Sequence, residues 1–318
     1  MPISSSNDLQ HHEQQALRDL LQSVIQEQRR QRRWKIFFRL IYLFIFFMII
    51  GLIAAGMGGS NNSDKPHTAL ITLRGELMDQ GDANAENINK SLDAAFKDKN
   101  TKAVMLEINS PGGSPVQAGE IYNNLIRLEK AHPKIKVYAV CTDVCASGAY
   151  YVAAAANDIY ADKASLVGSI GVLMDGFGFV DSLQKVGVQR RLLTSGSEKG
   201  FLDPFSPVKP ADQAYMQTML NIIHDQFITA VKTGRGTRLG NDPLLFSGLV
   251  WTGQQAKGLG LIDGIATPDE VVRNIIKVKT VLDYTVEDHM FNKFASHIGT
   301  QMVNKTLSLL GIQSSQIR

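Results

Sequence analysis

The chain has 318 residues, room for one large domain with attachments or for two small domains. Its formal charge of +3 is carried entirely by residues 1–39, and residues 40–318 are neutral. A nucleic-acid partner is set aside, because the basic cluster Arg29–Arg39 runs straight into an apolar stretch and reads as a membrane flank.

Residues 1–34 form a basic, polar segment in which Leu17, Leu20, Leu21, Val24 and Ile25 share one helical face. That face suits a partner, self-association or the surface of the chain's own membrane. Leu40 to Met57 carries no charge, and a helix of that length spans about 27 Å, enough for hydrocarbon. Residues 35–57 are therefore expected to be one transmembrane helix. Arg39 snorkels, the N-terminus stays in the cytoplasm, and the bulk of the chain lies outside. Ala54-Ala55-Gly56 resembles a cleavage site, but the long polar stretch ahead of the basic cluster argues against a cleaved signal. Residues 58–66 are a polar linker that reaches roughly 30 Å when extended.

From residue 67 to 278, apolar runs alternate with helical patterns. Ala69–Leu73, Ala103–Ile108, Lys136–Val140, Asp158–Ala161 and Gly171–Met174 are predicted strands. Ala85–Lys97, Gln117–Lys130, Ser147–Ala156 and Asp212–Lys232 are predicted helices. The alternation predicts an α/β domain of βαβ units with a largely parallel, buried sheet. Residues 279–318 form a tail in which Phe291, Phe294, Ile298 and Met302 recur at helical spacing. Cys141 and Cys145 read as small buried thiols, and the seven scattered histidines lack ligand spacing, so no metal or cofactor is expected.

Two short segments carry chemistry. Ser110-Pro111-Gly112-Gly113-Ser114 offers glycine N–H groups on a turn after an apolar run. Cys145-Ala146-Ser147-Gly148-Ala149-Tyr150-Tyr151 sets a serine among small residues where a helix begins. A serine at such a place commonly caps the helix. Together with oxyanion donors from two loops, it is also the minimal kit for acyl transfer. Gly-x-Ser-x-Gly is absent, since Cys145 and Ala149 hold the glycine positions. The Ser182–Lys185 and Lys232-Thr233-Gly234 pair imitates a penicillin-binding enzyme, yet Lys232 ends a helical pattern, and the match is treated as chance. The kit lacks a base, which directs attention to Lys199.

Asn109-Ser110-Pro111-Gly112-Gly113, Ala146-Ser147-Gly148-Ala149-Tyr150-Tyr151 and Gly168-Ser169-Ile170-Gly171-Val172 occur in this order. The segment from Ser195 to Phe205 around Lys199, and Gly248 to Gly264 with Gln255-Ala256, follow them. Over residues 67–276 the set resembles the short form of the signal peptide peptidase A, or protease IV, family of membrane-anchored bacterial serine peptidases. The resemblance implies a ClpP/crotonase-like spiral of βαβ units behind one transmembrane helix, on the periplasmic side of an inner membrane. It implies a Ser–Lys dyad with Ser147 as nucleophile and Lys199 as base, and Ser169 orienting the amine. Gly148, with Gly112 or Gly113, would supply the oxyanion hole. It implies homo-oligomers whose sites draw on adjacent protomers, and hydrophobic peptides such as signal-peptide remnants as substrates. The cysteines at 141 and 145 depart from the family pattern.

A free lysine has a pKa near 10.4, so a base at Lys199 needs burial or adjacent positive charge to lower it by roughly three units. Phe201, Pro204 and Phe205 are the expected dry wall around it. Two other readings stand beside the peptidase. A crotonase-like acyl-CoA enzyme shares the two-loop oxyanion hole without a serine nucleophile, and a non-catalytic membrane scaffold would bind peptides without cutting them.

Overall fold

The computed structural model describes residue 30, residues 32–49, residue 51 and residues 64–286. They fall into two units, Met1–Ser60 and Asn61–Arg318. The apolar face at residues 17–25, most of the linker, and the tail pattern beyond residue 286 lie outside the described residues.

In the first unit, residues 32–49 are helical (α1). Trp34 stacks on Phe38 at 5.7 Å and meets Phe37 edge-on at 5.8 Å. Four cations, Arg32, Arg33, Lys35 and Arg39, interrupt its apolar surface. Among the described residues no helix is long and apolar enough to cross a membrane. Residues 50 and 52–57, which complete the expected span, lie outside them.

The second unit is built on an eight-stranded sheet. Its main path runs β6(Val250–Thr252), β5(Leu166–Gly168), β3(Lys136–Ala146), β2(Thr101–Ser110), β1(His67–Arg74), β8(Val281–Asp283). β4(Asp158–Ala161) also pairs with β3 and with β7(Gly264–Ile265). Every pairing is parallel except β5 with β6. Buried on both faces, β2 and β3 read as near-continuous apolar runs because a parallel sheet covered by helices leaves no wet side.

The helices on the sheet's first half begin at side-chain caps. Asn84 accepts from the Asn87 N–H at 2.7 Å and opens α2(Ala85–Lys97). Ser114 accepts from the Gln117 N–H at 3.4 Å, and Pro115 fits the first turn of α3(Pro115–Ala131). The Gln117 Oε1 takes the Ala85 N–H at 2.6 Å and ties the two helices together. Then come α4(Gly148–Ala153), α5(Val180–Lys185), the long α6(Pro210–Arg235), α7(Gly253–Gly258) and α8(Pro268–Glu270). A π-helical turn, Val271–Ile276, follows α8. Arg235, 1% exposed, closes α6 onto Asp263 with two hydrogen bonds of 2.7 and 2.9 Å. Its Nε donates to the Gly260 carbonyl at 2.9 Å.

One irregularity sets up the site. Ile108 faces Cys141 and Ser110 faces Cys145, so Asn109 stands opposite three residues of β3. Asn109 fills that bulge, accepting from the Val144 N–H at 3.3 Å and donating to Asp143 at 2.8 Å. Across the bulge β3 changes neighbour, from Ala161 on β4 to Leu166 on β5. Both cysteines are free thiols and fully buried there. Burial pushes the Cys145 thiol up, and contact with Cys141 pushes it further.

The predicted strand Gly171–Met174 is the one clear misassignment. Those residues form no ladder with any described strand, because β5 ends at Gly168 and the chain leaves the sheet.

Candidate active site

Residues that follow strands β2, β3 and β5 converge on a cavity of about 590 Å³. Ser147, Gly148, Gly113 and Ser169 line it, with Tyr151 and Phe227 on the apolar side. Tyr151 is held by stacking on Phe227, centroids 4.9 Å apart, and by Tyr122 at 5.2 Å.

Ser147 sits directly after β3 at the N-cap of α4, with φ 53° and ψ −127°. Such a conformation costs a non-glycine residue about 1–3 kcal/mol and persists only when its surroundings fix it. They do. The Ser147 N–H donates to the Gly168 carbonyl at 2.8 Å, and its carbonyl accepts from Tyr151 at 3.0 Å. Its hydroxyl makes no capping hydrogen bond, so the capping role open to this serine is not taken up. Ser169 is held similarly, with φ 51° and its N–H on the Leu249 carbonyl at 2.8 Å.

The glycine turn resolves which donors face the cavity. The Gly112 carbonyl accepts from Leu77 and the Ser114 N–H donates to the Leu77 carbonyl, both at 2.8 Å. This parallel bridge fixes the turn and directs the intervening Gly113 N–H away from Leu77. The Gly112 N–H donates to Ser110 Oγ at 3.1 Å. Of the two glycines, Gly113 therefore keeps its donor without an acceptor among the described residues, whereas Gly112 does not. Gly112 has a different duty. A Cβ on it would lie 2.6 Å from the Gly148 nitrogen and 2.7 Å from the Ser147 Cβ. At Gly113 a Cβ would lie 2.3 Å from the Leu77 oxygen. Only glycine allows the two loops to approach so closely. Gly148, at the first position of α4, has no intrahelical acceptor for its N–H. α3 and α4 both begin at this cavity, with the partial positive charge of their N-termini toward it.

Lys199 is elsewhere. It lies exposed in a turn closed by its own N–H on the Gly196 carbonyl at 3.2 Å, and it is absent from the cavity lining. The expected dry wall does not form around it within the chain. Phe201 turns edge-on to Tyr215 at 5.8 Å, and Phe205 stacks on Phe179 at 5.4 Å. The structure thus brings Ser147, Gly113, Gly148 and Ser169 together and leaves Lys199 apart. Among the described residues no cluster of potential metal ligands occurs. Sequence reasoning missed Glu76, Ile223 and Phe227 in the lining. Glu76 is invisible beforehand because only the long-range bridge from Leu77 to Gly113 carries it there. Ile223 and Phe227, four apart on α6, carried a legible helical stripe with no sign of what it faces.

A Peptidase family S49 model matches residues 129–282, and a Clp protease model matches residues 67–165. A putative signal peptide peptidase SppA of Enterococcus faecium is 27% identical over 253 residues, 77% of this chain and 73% of that protein. By these matches the chain is similar to the signal peptide peptidase A family. The family models and the relatives' names support a serine peptidase, and the parallel-dominated sheet of the second unit is ClpP-like. A putative protease of Methanocaldococcus jannaschii is 31% identical over 203 residues, 62% of this chain and 64% of that relative. A Na(+)/H(+) antiporter NhaA of Brucella melitensis is 45% identical over 201 residues, 62% of this chain. Those residues make up only 27% of the antiporter, so the chain spans about a quarter of that relative's length.

Proposed function

We propose that the protein is a membrane-anchored serine endopeptidase that cuts hydrophobic peptides, such as signal-peptide remnants, outside the cytoplasm. Residues 35–57 anchor it, with the N-terminus inside. The observation that carries the reading is Ser147, in a strained conformation, its hydroxyl and two neighbouring backbone N–H groups all without hydrogen-bond partners among the described residues.

In this mechanism Ser147 Oγ attacks the peptide carbonyl as its proton passes to the Lys199 amine. The carbonyl oxygen becomes an oxyanion held by the Gly113 and Gly148 N–H groups, each worth about 3–4 kcal/mol in the transition state. Collapse breaks the C–N bond, and the leaving amine takes the proton back from the Lys199 ammonium. Water then attacks the acyl-enzyme, again losing its proton to Lys199, and Ser147 is released. Ser169 orients the amine.

Lys199 comes from a neighbouring copy in this reading. The cavity holds no amine or imidazole of its own. Large apolar side chains stand bare on the segments around Lys199 in the chain, with Leu193 97% and Phe177 81% exposed. A second copy covering that surface would remove water from it and supply the desolvation a lysine base requires. The segment Gly171–Leu173 lines the cavity and is in no ladder, so an extended substrate can pair with it.

The test uses the detergent-solubilised full chain. A fluorophosphonate should label Ser147 and abolish peptide cleavage, while peptide binding without cleavage or labelling would instead favour the scaffold. Mixing inactive Ser147→Ala and Lys199→Ala chains should restore part of the activity. A mixture that stays dead, beside an active wild type, would place both groups in one chain.

A further inference from the structure

The Ser147 cavity is apolar along one wall, where Val172, Leu173, Ile223 and Phe227 lie. The glycine turn also lines it, and next to the bridge that fixes this turn Glu76 contributes the one carboxylate among the lining residues. No hydrogen bond or ion pair engages that carboxylate among the described residues, and the nearest basic side chain in sequence, Arg74, reaches toward Glu107 at 4.0 Å instead. The backbone at Glu76 is not free to wander. Gly75 donates to the Asn109 carbonyl at 3.0 Å, and Leu77, 0% exposed, bonds both Gly112 and Ser114. The carboxylate is therefore tethered, one residue from the bridge, to the same turn that presents the Gly113 donor.

We infer that Glu76 is a specificity-determining residue of this site, selecting peptides that place a cationic group, a lysine or arginine side chain or a free α-ammonium, beside the glycine turn while apolar residues meet Val172, Leu173, Ile223 and Phe227. The inference rests on the peptidase reading above and names its substrate class: apolar peptides with a flanking positive charge. A negative charge in a cavity whose other lining residues are uncharged favours an opposite charge and disfavours a like one. Because Glu76 is exposed on its outer side, the preference is modest and falls with salt.

The experiment compares paired quenched-fluorescence peptides of apolar sequence that differ at one position, lysine against norleucine, with the position walked along the peptide. Wild-type full chain should cleave the lysine member about three- to fivefold better in kcat/KM at one or two positions, and the ratio should drop in 0.5 M salt, about 4 Å of screening length. Glu76→Gln should bring that ratio to about 1, Glu76→Asp should keep part of it, and Glu76→Lys should invert it. A ratio unchanged in Glu76→Gln overturns the inference. So does a shift of the pH optimum, equal for both peptides and with the ratio intact, since the carboxylate would then act on the base and not on the substrate. If wild-type chain cleaves neither peptide, the peptidase reading fails on its own. Binding of the same pair to wild type and Glu76→Gln, followed by fluorescence anisotropy, then still decides whether Glu76 selects the cation.

Discussion

Gly112 tests the geometry of the site without removing any functional group. Its φ of 97° lies where an L side chain is strained by about 1–3 kcal/mol. An alanine Cβ would stand 2.6 Å from the Gly148 nitrogen and 2.7 Å from the Ser147 Cβ, against about 3.4 Å for ordinary contact. Gly112→Ala must therefore push the nucleophile loop and the glycine turn apart by roughly 0.8 Å. Displacement on the order of 1 Å costs about 10²-fold, and loss of one oxyanion donor about 10²–10³-fold. The expected result is a 10²- to 10³-fold fall in kcat, with fluorophosphonate labelling of Ser147 slowed in parallel and stability lowered by about 1–3 kcal/mol. Gly119 provides the control. It lies inside α3 with nothing within 4 Å of a Cβ, so Gly119→Ala should leave turnover intact and raise stability by about 0.5–1 kcal/mol. Steady-state kinetics and denaturant melts of both variants decide the matter. A Gly112→Ala chain that turns over within threefold of wild type would show that the two loops do not jointly hold the transition state.

Asp263→Asn should cost about 3–5 kcal/mol in a denaturant melt, because it leaves the Arg235 guanidinium buried without its counter-charge. Burial alone would raise the Asp263 carboxyl, but the Arg235 and Ile159 hydrogen bonds and the charges of Arg235 and Arg238 hold it below its usual value. A depressed folded pKa gives stability that is complete above about pH 4 and lost as pH falls through the folded value. Wild type should therefore lose more melting temperature than Asp263→Asn on acidification below pH 4. Glu129 has the opposite sign. Burial pushes its carboxyl up to about 7, and its Oε1 has no hydrogen-bond partner. The folded chain then holds a proton that the unfolded chain gives up near pH 4.3, so stability declines as pH rises from there to 7. Glu129→Gln should gain melting temperature over wild type at pH 8 relative to pH 5, and an equal difference at both pH values would refute the assignment. Cys145→Ser should destabilise, since it buries a hydroxyl in an apolar core, and calorimetry reads the loss.

Much of the fold is written locally. The strand Asp158–Ala161 and the helix Ala85–Lys97 have in the structure the bounds their residue pattern predicts, because strand-forming Ile159 and Tyr160 and, as the structure shows, the Asn84 cap act at short range. The bulge in β3 and the strands β5, β6, β7 and β8 are short, two to three residues each for the last four, and depend on partners distant in sequence. Gly171–Met174 has the apolar content of a strand and still pairs with none, since a strand exists only where a neighbour offers hydrogen bonds.

The site divides in the same way. The small-residue setting of Ser147 and the glycine pair are local necessities, as tight backbone approach and positive φ restrict which residues fit. Ser110 Oγ occupies the Gly112 N–H locally, but the bridge to Leu77 that turns the Gly113 N–H outward is a long-range pairing that no local pattern encodes. Tertiary structure alone put Glu76 on the cavity wall and turned Phe201 and Phe205 away from Lys199. The sequence by itself determined the nucleophile's setting and the parallel α/β frame, because these follow from side-chain size, capping and apolar spacing. Only the folded chain decided which donors stay open and where the lysine stands, because those depend on contacts between separate segments, such as the bridge from Leu77 to Gly113.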